Sequence, residues 1–327
     1  MKRALARRLR LAAAGLVVLV VGLWAGAIAF DEPMPPPIVS GGGAIPGLAA
    51  WNPAEIPPVQ RVTARDGAPL VYRAYPGRPE RIVLLIHGST GTSLDMHKVA
   101  LALQAAGATA YALSLRGHGG SGRTSGDVSY IGQLDDDLAD FMKALGLDKP
   151  GTNRTLIGYS AGGGFALRIA SGRMRASFDD YIVISPFVTA FTEIRGRHIG
   201  PWANRASLRI VGLLGLERLG LPWFEDLTVV RYAVDPRPDG RHTPSYTYRM
   251  QRSLQADDWR RDLAHIESLT VILTSDEDDL TNAGRLGSID NPHLKLRLIR
   301  GIEHDQMVAD PKAVAEIVSI WQGLDAR

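Results

Sequence analysis

Residues 155–167 read Thr-Leu-Ile-Gly-Tyr-Ser-Ala-Gly-Gly-Gly-Phe-Ala-Leu, and they join a strand pattern to a helix pattern through a Gly-x-Ser-x-Gly pentad centred on Ser160. A serine at such a strand-to-helix turn is held in a strained backbone conformation, with its hydroxyl exposed at the edge of a sheet. Gly158 and Gly162 have no Cβ, so the chain can turn sharply and the helix can approach the strand closely. The alternative interpretation, a Gly/Ser-rich turn without chemistry, is disfavoured by the patterns on both sides of the pentad.

The chain has 327 residues, which suffices for one large domain with insertions or for two small domains. Five of its 37 bases are Lys2, Arg3, Arg7, Arg8 and Arg10. The other 32 bases face 34 acids, so the net charge of the remainder is about −2 and predicts no nucleic-acid partner. The chain contains no cysteine, which excludes disulfides, thiolate nucleophiles and cysteine-based metal sites.

Residues 11–30 carry no charge and would form a helix about 30 Å long, the thickness of a bilayer core. The basic residues 1–10 before it should remain cytoplasmic, which predicts that the rest of the chain is extracytoplasmic. Two interpretations stay open. The segment is an uncleaved single-pass anchor, as its length and Trp24 near its far end favour, or it is a signal peptide. Cleavage at Ala27-Ile28-Ala29 would then leave a secreted or periplasmic protein.

The remainder divides into a Pro/Gly-rich linker over residues 31–58 and a folded domain over residues 59–327. The domain opens with a hairpin pattern around Asp66-Gly67 and ends with a helix pattern from Pro311. Between them, apolar runs typical of buried strands alternate with helix patterns. This alternation predicts an α/β fold with a mostly parallel central sheet and helices on both faces.

The interval 187–266 interrupts the alternation and is too long for an ordinary connection. We expect a helical cap insertion there, lying over the C-terminal edge of the sheet. Its many aromatic residues are expected mostly to pack against each other, and a few could line an acyl pocket.

A serine hydroxyl becomes a useful nucleophile when a base takes its proton, and histidine suits that role near neutral pH. Among the eight histidines, His304 is favoured because it follows the last strand pattern and precedes the final helix. His87 and His118 also follow strand patterns, but they stand in glycine-rich turns where backbone geometry is the simpler requirement. The other five lie in helix patterns or solvated loops, namely His97, His198, His242, His265 and His293.

The imidazole in turn needs an acid that holds its tautomer. Four acids follow the strand pattern 271–274, namely Asp276, Glu277, Asp278 and Asp279. Asp278 is favoured because it stands where the tip of the loop is expected, while Asp276 and Asp279 remain alternatives. The order Ser160, Asp278, His304 is the Ser…Asp…His order of one fold family.

On these residues the chain resembles the α/β-hydrolase family, in particular the branch with lysophospholipases, monoacylglycerol lipases and serine aminopeptidases. The resemblance covers about Arg61 to the C-terminus. The motifs are His87-Gly88-Ser89-Thr90-Gly91, Leu115-Arg116-Gly117-His118-Gly119-Gly120-Ser121-Gly122, the Ser160 pentad, the Asp278 loop and Gly301-x-x-His304. The chain departs from the usual pattern at Ser114, Ser275 and Asp305, which weakens the transfer of a particular activity.

The resemblance implies an oxyanion hole formed by the backbone N–H groups of Ser89 and Ala161. It also implies a serine hydrolase that cleaves carboxylic esters through an acyl-enzyme, with lysophospholipid-like or monoacylglycerol-like substrates near a membrane. An acyltransferase with the same triad and a non-catalytic binding protein are the alternatives. No cofactor is expected, and no metal, since His-x-x-x-His spacings of the zinc-protease type are absent from the sequence. The sequence indicates no oligomeric state.

Overall fold

The computed structural model describes residues 2–37, 52–188, 202–234, 242–256, 258–278, 280–281 and 283–325. The helices are α1 Lys2–Phe30, α2 His97–Ala105, α3 Gln133–Ala144, α4 Ala161–Ser171, α5 Ser207–Arg218, α6 Tyr248–Ser253, α7 Trp259–Ala264, α8 Ala283–Gly287 and α9 Pro311–Asp325. The strands are β1 Gln60–Thr63, β2 Pro69–Tyr75, β3 Arg78–Ile86, β4 Ala108–Ser114, β5 Asn153–Tyr159, β6 Asp180–Ile184, β7 Ala203–Arg205, β8 Thr228–Tyr232, β9 Ser245–Thr247, β10 Leu269–Ser275 and β11 Leu294–Ile299.

An eight-stranded sheet with the order β1-β2-β4-β3-β5-β6-β10-β11 forms the centre of the fold. Strands β1 and β2 are antiparallel, as the hairpin pattern predicts, and every pairing from β4 to β11 is parallel. Since β4 and β5 lie on opposite sides of β3, the chain changes direction across the sheet at β3. The carboxyl ends of strands at such a switch point form the crevice where α/β proteins bind ligands.

Helices cover both faces of this sheet, as the alternation of patterns predicts. Successive residues of β3 point to opposite faces. Leu84 is buried in the core that includes Phe165 of α4, whereas Val83 and Leu85 are buried in the core that includes Trp321 of α9. The predicted mostly parallel sheet with a helical layer on each side is thereby confirmed.

The segment between β6 and β10 is only partly the helical insertion that the sequence predicts. It contains α5, α6 and α7, but also an antiparallel three-stranded sheet in the order β7-β8-β9. The run Thr228-Val-Val-Arg-Tyr232 is rich in β-branched and aromatic residues, which favour strands, and this is the physical reason for the difference. The insertion reaches the carboxyl edge of the main sheet, where the Thr243 N–H donates to the Thr90 carbonyl at 3.1 Å.

Several aromatic residues of the insertion pack against each other, as expected. Tyr232 stacks on Trp202 with ring centroids 5.1 Å apart, and it meets Tyr246 edge-on at 5.0 Å. In contrast, Trp223 and Phe224 are more than half exposed, at 56% and 57%.

Helix α1 contains the apolar segment expected from the sequence. Its stretch Ala13–Phe30 has a mean hydropathy of 2.4, and only 6% of that stretch is buried. By length and composition it could cross a membrane.

Arg116, in the loop after β4, connects the β1–β2 turn to helix α3. Its guanidinium donates to the Asp137 carboxylate of α3 at 2.6 and 2.7 Å and to Asp66 of the β1–β2 turn at 2.9 Å. The side chains of Arg116 and Asp137 are both only 5% exposed. A buried charge that loses its partner is strongly destabilising.

We therefore expect Arg116→Met to lower the free energy of unfolding by about 3–5 kcal/mol, because Asp137 is left buried without its cation. Urea denaturation followed by circular dichroism measures the loss. Arg123→Met, in the same loop but exposed, is the control and should shift the midpoint little. Equal midpoints for the two variants would contradict the structural role of Arg116.

Candidate active site

Ser160 occupies the sharp turn between β5 and α4 with φ 53° and ψ −115°. A positive φ is unusual for a residue with a Cβ and stores strain that the surroundings must hold. The Ser160 N–H donates to the Ile184 carbonyl of β6 at 2.9 Å. The Ser160 carbonyl accepts from the N–H groups of Gly164 at 3.0 Å and Phe187 at 2.9 Å. The turn is thus held by the neighbouring strand, by α4 and by the start of the insertion.

The glycines on either side of Ser160 are sterically required. A Cβ on Gly158 would lie 2.1 Å from the Gly162 carbonyl oxygen, and a Cβ on Gly162 would lie 2.4 Å from the His87 carbonyl oxygen. Both distances are far below van der Waals contact. The sequence-based argument that these positions must be glycine for a close approach is confirmed.

The structure brings Ser160, Asp278 and His304 together at the carboxyl edge of the sheet. His304 Nε2 lies 3.0 Å from Ser160 Oγ, and His304 Nδ1 lies 3.0 Å from Asp278 Oδ1. Asp278 follows β10 and His304 follows β11. Both side chains therefore lie at the carboxyl edge of the sheet, close to Ser160 at the end of β5. The Asp278 side chain is fully buried, whereas the His304 side chain is 11% exposed.

Asp278 is held as a carboxylate. Its Oδ1 accepts from the N–H groups of Leu280 and Thr281, both at 2.9 Å, and its Oδ2 accepts from Thr274 Oγ1 at 3.2 Å. Burial acts to raise the pKa of Asp278, but the hydrogen bond and charge of His304 and the backbone donors outweigh it and hold the pKa below its usual value. An ionised, fixed acid of this kind orients an imidazole.

The other acids of this loop are placed differently. Asp276 is exposed, and its Oδ1 accepts from the Gly301 N–H at 2.8 Å, which ties the loop after β10 to the turn after β11. Glu277 is exposed. Asp279, the other alternative acid, lies outside the described residues.

The loop after β3 lies directly against Ser160. A Cβ on Gly88 would lie 3.1 Å from Ser160 Cβ and 3.0 Å from the Tyr159 ring, so the backbone of this loop can approach only because residue 88 is glycine. Ser89 follows in the same loop. On the other side, Ala161 is the first residue of α4, and the first N–H groups of a helix have no partner within the helix.

His87 and His118 have structural hydrogen bonds, in agreement with the expectation from their glycine-rich turns. His87 Nδ1 lies 2.7 Å from the Gly88 carbonyl, and His87 Nε2 accepts from the Leu115 N–H at 3.1 Å. Burial, reinforced by the neighbouring His118, lowers the pKa of His87 to about 3. Burial lowers the pKa of His118 to about 4. Both rings are therefore neutral at physiological pH.

Tyr246 of β9 is a residue of the site that sequence reasoning missed. The Thr90 N–H donates to the Tyr246 hydroxyl at 3.0 Å, and that hydroxyl lies 2.7 Å from His118 Nε2. His118 Nδ1 lies 3.1 Å from the Arg116 carbonyl, so Nδ1 carries the proton and Nε2 accepts from Tyr246. The insertion thereby fixes the loop that contains Ser89. No local sequence signal separates Tyr246 from the other tyrosines of the insertion.

A separate cleft of about 460 Å³ lies between α3, α4 and α7, and none of Ser160, Asp278 and His304 lines it. Its charged side chains pair with each other, for example Arg168 with Asp135 at 3.1 Å and Arg261 with Asp262 at 3.0 Å. This cleft is distinct from the site around Ser160.

A mostly parallel sheet with a serine on a strand-to-helix turn, and with acid and histidine on later strand ends, defines the α/β-hydrolase fold. The sequence model of the family described as "Serine aminopeptidase, S33" matches residues 77–311, and the chain belongs to this family. The fold class and the branch expected from the resemblance are thus confirmed, and the chain is a hydrolase by family.

Known proteins of similar sequence and structure agree with this assignment. The chain is 32% identical to a monoacylglycerol lipase of Mycolicibacterium smegmatis over 115 residues, which are 34% of this chain and only 40% of that protein. It is similar to the crystal structure of a Paleococcus ferrophilus monoacylglycerol lipase, with 19% identity, TM-score 0.60, and coverage of 79% and 98% of the two chains. It is also similar to the crystal structure of a soluble variant of monoglyceride lipase from Saccharomyces cerevisiae. The identity is 18% and the TM-score 0.62, and the match covers 83% of this chain and 96% of that chain. At these identities the structural likeness shows the fold alone.

Proposed function

We propose that this protein is a serine hydrolase that cleaves carboxylic esters, with Ser160 as nucleophile, His304 as general base and Asp278 as the residue that orients His304. The observation that carries the proposal is the continuous hydrogen-bonded chain from Ser160 Oγ through His304 to Asp278, with both links at 3.0 Å. In this arrangement the imidazole can take the serine proton while the carboxylate stabilises the imidazolium.

In the proposed reaction, Ser160 Oγ attacks the ester carbonyl and its proton passes to His304 Nε2. The negative oxygen of the tetrahedral intermediate accepts hydrogen bonds from the N–H groups of Ser89 and Ala161. Collapse of the intermediate releases the alcohol, which takes the proton from His304 and leaves an acyl group on Ser160. His304 then removes a proton from water, and the resulting hydroxide attacks the acyl carbonyl. Collapse of this second intermediate breaks the bond to Ser160 Oγ, which takes the proton back from His304, and the carboxylic acid is released.

We propose lipid monoesters, monoacylglycerol-like or lysophospholipid-like, as the substrate class. Support comes from the similarity to a monoacylglycerol lipase and from the apolar helix α1 at the start of the chain. In the proposed organisation, residues 1–10 are cytoplasmic, residues 11–30 span the membrane and residues 31–58 link the span to a hydrolase domain over residues 59–327. The segment 187–266 is the cap of that domain. The basic residues among the first ten, at the start of α1, support an extracytoplasmic side for the domain.

Labelling of the full chain with a fluorophosphonate probe, followed by peptide mass spectrometry, tests the proposal. The probe should modify Ser160, and the protein should hydrolyse monoacylglycerols and p-nitrophenyl esters of graded chain length. An unlabelled Ser160 would favour the non-catalytic binding protein. Transfer of the acyl group to an added alcohol in preference to water would favour the acyltransferase.

We expect Tyr246→Phe to lower kcat for ester hydrolysis, with a smaller change in KM, because the loop of Ser89 loses the hydrogen bond that fixes Thr90. The unpaired Thr90 N–H should also lower the free energy of unfolding by about 1–3 kcal/mol. Steady-state kinetics and urea denaturation measure the two effects. Tyr181→Phe removes another tyrosine hydroxyl, which donates to the Arg175 carbonyl at 3.0 Å remote from the triad, and should leave kcat unchanged. Equal kcat in both variants would disprove the positioning role of Tyr246.

A further inference from the structure

The last turns of α1 pack into a groove on α5 of the insertion. The Trp24 indole N–H donates to the Gly212 carbonyl at 2.9 Å. A Cβ on Gly212 would lie 2.6 Å from Ile28 Cγ1, and a Cβ on Gly215 would lie 2.7 Å from Trp24 Cζ2. Because Gly212 and Gly215 have no side chains, α5 has a groove there into which α1 fits closely. We call this surface the α5 groove.

Arg209 of α5 caps the end of α1, and Asp31, directly after α1, caps the start of α5. Arg209 of α5 is only 5% exposed, and it donates to the carbonyls of Ile28 at 2.8 Å and Ala29 at 3.1 Å. These carbonyls belong to the last turn of α1, where no partner within the helix exists and a cation is favourable. In return, Asp31 Oδ2 accepts from the N–H groups of Leu208 at 2.7 Å and Arg209 at 3.1 Å in the first turn of α5.

Leu208, Val211 and Leu219 form an exposed apolar strip beside this groove. They are 63%, 55% and 64% exposed, and the helical period places them on the same face as Gly212 and Gly215. The opposite face of α5 is also apolar, since Ile210, Leu213 and Leu216 are buried in the core.

Building on the membrane-spanning organisation proposed above, we propose that α1 is retained in the mature protein, and that its docked end holds the apolar strip of α5 against the lipid bilayer. An exposed apolar strip on a helix whose other face is in the core needs a partner or lipid to cover it. One face of α5 is in the core, and the other lies beside a helix long enough to span a membrane, so lipid is the occupant that fits the strip.

The position of the groove along α1 agrees with this arrangement. Residues Trp24 to Phe30 form the last part of the apolar span and cover about 9 Å at 1.5 Å per residue. Interfacial helices lie about 5–10 Å deep, at the boundary of headgroups and acyl chains, where tryptophan is also enriched.

Removal of α1 as a signal peptide would disrupt this contact. Cleavage after Ala29 takes away Trp24 and Ile28 and leaves the α5 groove uncovered. It also removes both carbonyls of α1 that the buried Arg209 guanidinium donates to. The docking therefore favours the retained anchor among the two interpretations that the sequence leaves open.

A disulfide cross-link in the cysteine-free chain tests the docking. The Cβ of residue 28 lies one bond beyond Cγ1, so the Cβ atoms of an Ile28→Cys, Gly212→Cys pair would be at most about 4.1 Å apart, within disulfide range. A protease site placed in the linker at 41–43 lets a non-reducing gel show whether the two fragments stay joined. We expect the full-length membrane protein to stay joined after oxidation.

The control variant carries Gly22→Cys, Ile28→Ala and Gly212→Cys, because Gly22 has open space around it. It should separate into two fragments. Separation of the Ile28→Cys, Gly212→Cys fragments, or a mature N-terminus at residue 30 by mass spectrometry, would overturn the proposal.

Fluorescent labels on single cysteines test the lipid contact. Leu208→Cys and Val211→Cys, each labelled with a nitrobenzoxadiazole probe in phosphatidylcholine–phosphatidylglycerol vesicles, should shift their emission to the blue and lose intensity with doxyl-labelled lipid. Leu298→Cys, at a half-exposed leucine on the edge strand β11, is the matched control and should do neither. Equal emission at all three positions would refute the contact. The contact would also be refuted if the blue-shifted emission at 208 and 211 were not quenched by doxyl-labelled lipid and depended on protein concentration. A second copy of the chain would then cover the strip.

Discussion

Replacing Ser160 with alanine is expected to abolish ester hydrolysis, with kcat lower by about 10⁴–10⁶-fold. The reason is that the proposed reaction needs a covalent acyl intermediate, and alanine offers no oxygen for it. Initial rates with p-nitrophenyl esters, on protein shown by circular dichroism to be folded, measure the loss.

The matched control for this variant is Ser171→Ala at the end of the same helix, whose hydroxyl donates to the backbone carbonyls of Leu167 at 2.9 Å and Arg168 at 3.4 Å. It should retain the activity of the unchanged protein. A folded Ser160→Ala protein that still turns over esters at a comparable rate would show that the nucleophile is elsewhere.

Asp278→Asn is expected to have the second-largest effect, a loss of about 10⁴-fold in kcat. The amide keeps the size of the side chain, but it removes the negative charge that stabilises the imidazolium and can favour the wrong tautomer of His304. KM should change less than kcat, because Asp278 is buried beneath His304 and does not face the substrate.

Asp276→Asn tests whether the loss of activity is specific to Asp278 or follows from removing any negative charge in the same loop. Asp276 lies two residues away and accepts only structural hydrogen bonds, including that from Gly301 at 2.8 Å. Its replacement should lower the free energy of unfolding by about 1 kcal/mol and leave kcat nearly unchanged. If Asp276→Asn lost more activity than Asp278→Asn, the assignment of the acid would be wrong.

The choice between these acids shows where sequence reasoning reaches its limit. Asp276, Asp278 and Asp279 lie within four consecutive positions and have the same side chain, so only the expected position of the loop tip favoured Asp278. The direction of each carboxylate depends on how the turns after β10 and β11 close against each other. In the structure Asp276 holds the second turn and Asp278 reaches His304.

In the insertion, sequence reasoning did not predict the small antiparallel sheet. The strands β7, β8 and β9 have three to five residues each, and their pairing depends on partners distant in the chain. A helical insertion was the wrong expectation for this part. Tyr246 carries no local mark of its contact with the loop after β3, because that contact joins residues 156 positions apart.

The fold and the order of the proposed triad could be predicted because their signals are local. Strand and helix periods, the glycines around Ser160 and the motif residues each reflect the backbone of a few neighbouring residues, which short-range sterics govern. The direction of Asp278, the role of Tyr246 and the docking of α1 on α5 came only from the assembled molecule. Each depends on groups far apart in the chain that come into contact only in the folded protein, so no short stretch of sequence indicates the contact.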